Sequence, residues 1–262
     1  MKANYHTHTQ RCLHAFGSEE DYLRFALEAK LSVLGFSDHA PFPDHDFGYR
    51  MPFAELEEYF AAVDRLASSS SYDIIIKKAL EIEYIPQYQT YYKRLIEHDK
   101  VDYLLLGEHF YADASGEIRN ITQATDTSAN LDYAAALAEA MQTGYFLMVA
   151  HPDLYAMNHF AWDDNCEAAA DIIIQTAAST GTVLEFNANG FRRGVQDYPD
   201  GQRYMYPHTR FWEKVAHTDI PVIIGSDCHE PYQVWDECLS RSQEILKGLG
   251  ITPIDCLDMD KP

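Results

Sequence analysis

The stretch Val222-Ile223-Ile224-Gly225-Ser226-Asp227-Cys228-His229 is a short apolar run that ends in two metal-binding side chains. An apolar run of this length, with no alternation, is what a strand covered on both faces looks like. The pattern recurs along the chain. Candidate strands are Ala3–Thr7, Val33–Ser37, Ile74–Leu80, Tyr103–Leu106, Phe146–Ala150, Val183–Phe186 and Val222–Gly225. Amphipathic segments alternate with them: Glu19–Ala29 behind a Ser18 cap, Phe53–Leu66, Pro86–Ile96, Asn130–Gln142, Asn165–Ala178, His208–Ala216 and Tyr232–Leu246. Gly144, Gly181 and Gly248 sit where helix C-terminal glycines usually fall. Seven strands alternating with seven helices predict a parallel sheet. No GxGxxG or Walker-type run supports an open nucleotide-binding sheet, so an α/β single-domain barrel, a distorted (β/α)7, is the favoured closure.

The strand ends carry the chemistry. His6 and His8 end the first strand, two residues apart and so on one face. Asp38-His39 ends the second, Glu81 the third, Glu108-His109 the fourth and His151 the fifth. Glu185 and Asn187 end the sixth; Asp227 and His229 end the seventh. In a closed parallel barrel these ends converge on one face. Imidazole and carboxylate together suit zinc, iron or manganese, and His6, His8, His39, Glu81, His109, His151, Asp227 and His229, with His14 from the loop after the first strand, make nine groups, more than one ion can use, so two to three divalent metals are expected. Any one of these histidines alone would read as a hydrogen-bonded core residue; their recurrence at successive strand ends is the signal. His45, His98, His208 and His217 fall in loops or helices and read as controls, while His159 is placed at the edge of the site.

Composition narrows the partners. The chain has 262 residues, 41 acidic and 20 basic, for a formal net charge of -21. That argues against a nucleic-acid surface, which wants a basic stripe. No run of 18 apolar residues suggests a membrane span. Five cysteines without a CxxC spacing read as reduced thiols. With no signal-peptide pattern at Met1–Asn4, a cytoplasmic location is expected. At this length burial alone stabilises the fold, so the metal ligands need not be structural. There is no internal repeat, and Ser68–Ser71 reads as a short polar connector. The loops Ala40–Met51 and Asn189–Tyr206 follow strand ends, where barrel enzymes place substrate contacts.

The ordered motifs His6-Thr7-His8-Thr9, Ser37-Asp38-His39, Leu80-Glu81-Ile82-Glu83-Tyr84, Gly107-Glu108-His109, His151-Pro152-Asp153 and Gly225–His229 resemble the polymerase and histidinol phosphatase (PHP) superfamily over nearly the whole chain. Glu185-Phe186-Asn187-Ala188-Asn189-Gly190-Phe191-Arg192, with Tyr206-Pro207, is similar to the monofunctional histidinol-phosphate phosphatases of histidine biosynthesis. That resemblance implies a first ion on His6, His8, Glu81 and Asp227, a second on Glu81, His109 and His151, and a third on His14, His39 and His229. It also implies that Arg192 grips the phosphate. Two departures stand out. Ala79 replaces a glycine before the bridging glutamate, and Leu154–His159 lacks an arginine, which leaves His159, Arg119 or Arg193 to fill that role.

The expected reaction is hydrolysis of a small phosphomonoester, most closely L-histidinol phosphate. Two metals about 4 Å apart supply a bridging hydroxide, and Asp227 or a bound water protonates the leaving alkoxide. Cys228, between two ligands, is expected to point into the barrel wall. Tyr49, Arg50, Phe191 and Tyr206 are candidates to cover the substrate, and Asp44, Asp46 or Glu83 to bind a cationic group on it. The alternatives are a phosphoesterase of other specificity, a hydrolase of C–N bonds, and a non-catalytic metal-binding module. Turnover of an ester separates the last from the rest. Oligomeric state is not readable from the sequence.

Overall fold

The computed structural model describes residues 2–69 and 72–259. Ser70 and Ser71 of the polar connector lie outside them. Seven parallel strands form one sheet: β1 (Ala3–Asn4), β2 (Val33–Phe36), β3 (Ile75–Ile82), β4 (Tyr103–Leu106), β5 (Met148–Val149), β6 (Val183–Asn187) and β7 (Val222–Gly225), hydrogen-bonded in that order. A parallel bridge between Thr7 and Cys228, with the His8 amide donating to the Cys228 carbonyl at 3.0 Å, links the first strand to the last. The sheet is therefore a nearly closed barrel, as the alternating pattern implies.

Helices α1 (Glu19–Glu28), α2 (Leu56–Ala67), α3 (Gln89–Glu97), α4 (Ala129–Gln142), α5 (Asp164–Thr180), α6 (Thr209–Val215) and α7 (Glu237–Gly248) follow the seven strands in turn. Ser18 caps α1 through a reciprocal capping box with Asp21. Gly181 takes the left-handed C-cap of α5. Gly248 does not play that part: it is the last residue of α7, and Gly250 has the positive φ.

Strand periodicity sorts the side chains into two layers. Leu80 and Ile82 of β3, Leu104 and Leu106 of β4, and Leu184 and Phe186 of β6 pack outward against the helices. Ala79, Tyr103, Leu105, Met148, Val183 and Ile223 pack inward, joined by Tyr5 and by Leu257 from the C-terminal segment. The next inward positions on β3 and β6 are Glu81 and Glu185, so the interior turns from apolar to charged within one layer.

Two hairpins were not expected: Phe110–Ala112 with Ile118–Asn120, and Gln196–Tyr198 with Gly201–Arg203. Three-residue strands carry no periodicity to read. Their turns do carry a signal: Asp113 accepts from the Ser115 and Glu117 amides ahead of Gly116, and Pro199-Asp200-Gly201 is a strong turn sequence.

Candidate metal centre

The structure brings all nine expected ligands to the strand-end face. His6 Nε2 and His8 Nε2 are 3.0 Å apart. Glu81 Oε2 lies 3.4 Å and 3.3 Å from them, and Asp227 Oδ1 3.6 Å and 3.3 Å. Beside this group, His151 Nε2 is 3.0 Å and His109 Nε2 3.9 Å from the other Glu81 oxygen. Towards solvent, His14 Nε2 and His229 Nε2 approach to 2.9 Å, with His39 beside them.

Donor atoms sharing one ion at about 2.0–2.2 Å sit roughly 3–3.5 Å from each other. The observed spacings have that form, and unprotonated nitrogens and carboxylate oxygens would otherwise repel at them. Three buried atoms of the cluster, His8 Nδ1, Glu81 Oε2 and His151 Nδ1, have no hydrogen-bond partner. The donor set therefore fits divalent ions.

The outer partners select the nitrogen each ring presents. His6 Nδ1 meets Glu185 Oε1 at 2.8 Å, His14 Nδ1 meets the Cys12 carbonyl at 2.8 Å, His229 Nδ1 meets the Asp227 carbonyl at 3.2 Å, and His109 Nδ1 meets Glu83 at 3.3 Å. A proton on Nδ1 leaves each Nε2 lone pair facing the site. The electrostatics divide the site: burial would lower the His6 and His109 pKa values, but Glu185, Glu81 and Asp227 raise His6 well above its usual value and Glu81 and Glu83 raise His109. Burial would raise the Glu81 pKa, but His6, His39 and His109 outweigh it and hold the carboxyl well below the usual range. Burial is likewise overcome at Asp227 by His6, His8 and His229. Burial, aided by His8, pushes His39 well down and His229 down to about 3, which keeps both rings neutral.

Two glycines make room for the carboxylates. A Cβ at Gly107 would lie 2.1 Å from Glu81 Oε1, and one at Gly225 would lie 1.6 Å from Glu185 Oε1. Two ligands, His151 and Asp227, have positive φ (29° and 47°), an arrangement that costs free energy and collects at functional sites.

Above the cluster opens a cavity of about 620 Å³. Tyr49, Arg50 and Tyr206 line it, as expected. Arg50, however, is a clamp. Four of its five N–H groups reach the Gly48 and Ala40 carbonyls and both oxygens of Glu83.

The other substrate candidates are placed differently. Arg192 is turned away from the cavity: its guanidinium bonds Asp236, both the carbonyl and the hydroxyl of Ser226, and the Gln233 carbonyl. The helical turn Asn189–Arg192 explains this, since one residue is roughly 100° of rotation, and it is Arg193 that faces the cavity. His159 is exposed and packs on Tyr198, away from the cavity lining. Phe191 is buried in the core beside Phe186 and Tyr204. Arg119 is exposed and pairs with Asp113 and Glu117. Asp44 accepts from Tyr88 and Asp46 from the Gly48 amide, and neither is among the residues that line the cavity; Glu83 is neutralised by Arg50. Cys228 is buried, and burial pushes its thiol up to about 12, which leaves it unreactive. Of the control histidines, His208 is buried and stacked on Trp162; the rest are exposed.

No helix among the described residues is long and apolar enough to cross a membrane. A family model, the PHP domain, matches residues 4–189. A Deinococcus radiodurans protein named "Probable histidinol-phosphatase" is 27% identical over 92% of this chain and 91% of its own length. A Schizosaccharomyces pombe protein of the same name is 26% identical over 89% of this chain and 82% of its own. Among solved structures, the histidinol phosphate phosphatase of Lactococcus lactis, in complex with zinc, L-histidinol and phosphate, superposes with a TM-score of 0.74. It is 17% identical, and the match covers 98% of this chain and 97% of that one.

Proposed function

The chain belongs to the PHP domain family, and from that premise we propose that it is a metal-dependent phosphatase whose substrate is L-histidinol phosphate. The observation that carries the reading is the bridging position of Glu81. Its two oxygens face separate groups of imidazoles at the floor of the cavity. The relatives named histidinol-phosphatase align over most of the chain, which supports the choice of ester.

On this reading residues 1–262 form one catalytic domain. His6, His8, Glu81 and Asp227 would hold one divalent ion. Glu81, His109 and His151 would hold a second, and His14, His39 and His229 a third. Such ions lower the pKa of water towards neutrality and neutralise phosphoryl oxygens.

The protein's own groups do the rest. Arg193 lines the cavity and makes no hydrogen bond or ion pair among the described residues, so its fork is free for a phosphate, the role that the family resemblance implies for Arg192. Tyr206 and Asn189 line the cavity as well. Asn187 and Asn189 each donate to Asp227 Oδ2, which favours its ionised form and makes ligation, not proton delivery, its part. Phe47, Phe110, Leu154 and Met157 give the organic end of the substrate an apolar wall.

The test is a panel of L-histidinol phosphate, other phosphomonoesters and a bis-aryl phosphodiester, each with added zinc, manganese or iron and with chelator. Phosphate release from histidinol phosphate should dominate and stop with chelator. Preference for another ester would move the substrate assignment, and turnover of none would leave a metal-binding module.

A further inference from the structure

We infer that Glu185, which touches neither cavity nor expected ion, is the positioning residue that chooses which nitrogen of His6 faces the metal centre and so sets the affinity of the first ion. The inference rests on the metal reading of the site. Glu185 is fully buried on β6. Its Oε1 accepts from His6 Nδ1 at 2.8 Å. Its Oε2 accepts from the His151 amide at 3.0 Å and from Asn187 Nδ2 at 2.8 Å.

Neither donor at Oε2 can be exchanged for an acceptor. The His151 amide is backbone. The Asn187 side chain is locked, because its Oδ1 accepts the Asn189 amide at 2.8 Å. One carboxylate thus holds a ligand of the first group by its ring, and a ligand of the second by its backbone at a residue with φ +29°. Through Asn187 it also reaches Asp227.

This wiring makes an isosteric change informative. A glutamine offers one acceptor and one NH2 group. In Glu185→Gln the acceptor must stay with the two donors, so the NH2 faces His6 Nδ1. The ring must then accept there and carry its proton on Nε2, the nitrogen that points at His8 and Glu81. Shape is conserved while the lone pair is removed from the metal side. Glu185→Ala leaves His6 free to donate to water, and so keeps the correct tautomer.

The experiment is Zn2+ titration of wild type, Glu185→Gln and Glu185→Ala against a chromophoric chelator, with imidazole 15N NMR of the metal-free proteins in mildly alkaline buffer, where the ring carries a single proton. Glu185→Gln should weaken one ion about 10–100-fold, the range for partners behind a ligand, while the remaining ions hold. Its His6 ring should carry the proton on Nε2 where wild type carries it on Nδ1. Glu185→Ala should lose less affinity than Glu185→Gln; a merely structural role gives the reverse order. Wild-type zinc affinity or an unchanged His6 tautomer in Glu185→Gln overturns the inference, and the tautomer decides it if the alanine variant does not fold. A wild type that binds no zinc would instead sink the metal reading itself.

Discussion

The barrel interior has two floors built from the same strands. The lower holds Val33, Ala79, Tyr103, Leu105, Met148, Val183 and Ile223 in apolar contact. The upper, further along the strands and at their ends, holds Glu81, Glu185 and Asp227 among seven histidines, with buried atoms left unpartnered and two backbones at positive φ. Apolar burial stabilises the lower floor. Desolvated charges and strain make the upper floor costly unless ions complete it. The difference teaches that stability and chemistry are separated along the barrel axis, with the chemistry at the C-terminal ends of the strands.

The comparison is broken most directly at the bridge. Glu81→Gln should lower kcat/KM by more than the roughly 100-fold limit typical of outer partners, with metal content reduced and urea stability of the metal-free protein unchanged or raised. Gly107→Ala should lower kcat/KM and metal content in the same direction by steric displacement of that carboxylate, with a loss of stability from the clash. Steady-state kinetics with metal analysis would show it, and a fully active Glu81→Gln variant would end the bridging role. On the lower floor, Met148→Ala should cost about 2–5 kcal/mol in urea unfolding while the folded enzyme keeps its kcat/KM. A matched loss of turnover would show that the floors are not separable.

The two neighbouring arginines sharpen the same division. Arg193→Ala should lose about 1.5–3 kcal/mol of substrate interaction, roughly 10–100-fold in kcat/KM, with no change in unfolding midpoint. Arg192→Ala should lower the midpoint, because it breaks the link from the helical turn to Asp236, Ser226 and Gln233. Equal kinetic loss in both variants would refute this division.

A further effect, seen only when pH is lowered, lies in the outer layer. Burial against Trp162 lowers the His208 pKa to about 4, so the folded state favours the neutral ring while the unfolded chain takes a proton near 6.5. Stability is thus present above about pH 6.5 and falls as pH drops towards 4, by up to about 1.4 kcal/mol per pH unit. His208→Asn keeps an N-cap acceptor for the Arg210 amide but does not titrate. Its unfolding midpoint should depend less on pH between 6.5 and 4 than that of wild type.

Much of this was legible beforehand. Strand cores and strand-end ligands are local patterns, so the seven strands, the seven helices and the convergence of nine ligand residues could be read along the chain. The unread parts depend on direction in space. Short hairpins lack a period, although Pro199-Asp200-Gly201 announces one of them. Arg192 and Arg193 are chemically alike in sequence, and only the rotation of one helical turn separates the clamp from the cavity. Arg50 lines the cavity, as its loop position implies, but only the fold places Glu83 against its guanidinium.

The sequence by itself determined that apolar runs alternate with amphipathic helices and that each run ends in a histidine or carboxylate, because strand burial and helix amphipathicity are written in residue order. Tertiary structure decided which ring nitrogen faces inward and which arginine is free. It also decided which carboxylate lies behind His6. Those outcomes depend on contacts between residues up to 179 positions apart, such as His6 with Glu185, and a hydrogen bond of that span leaves no periodicity in the chain.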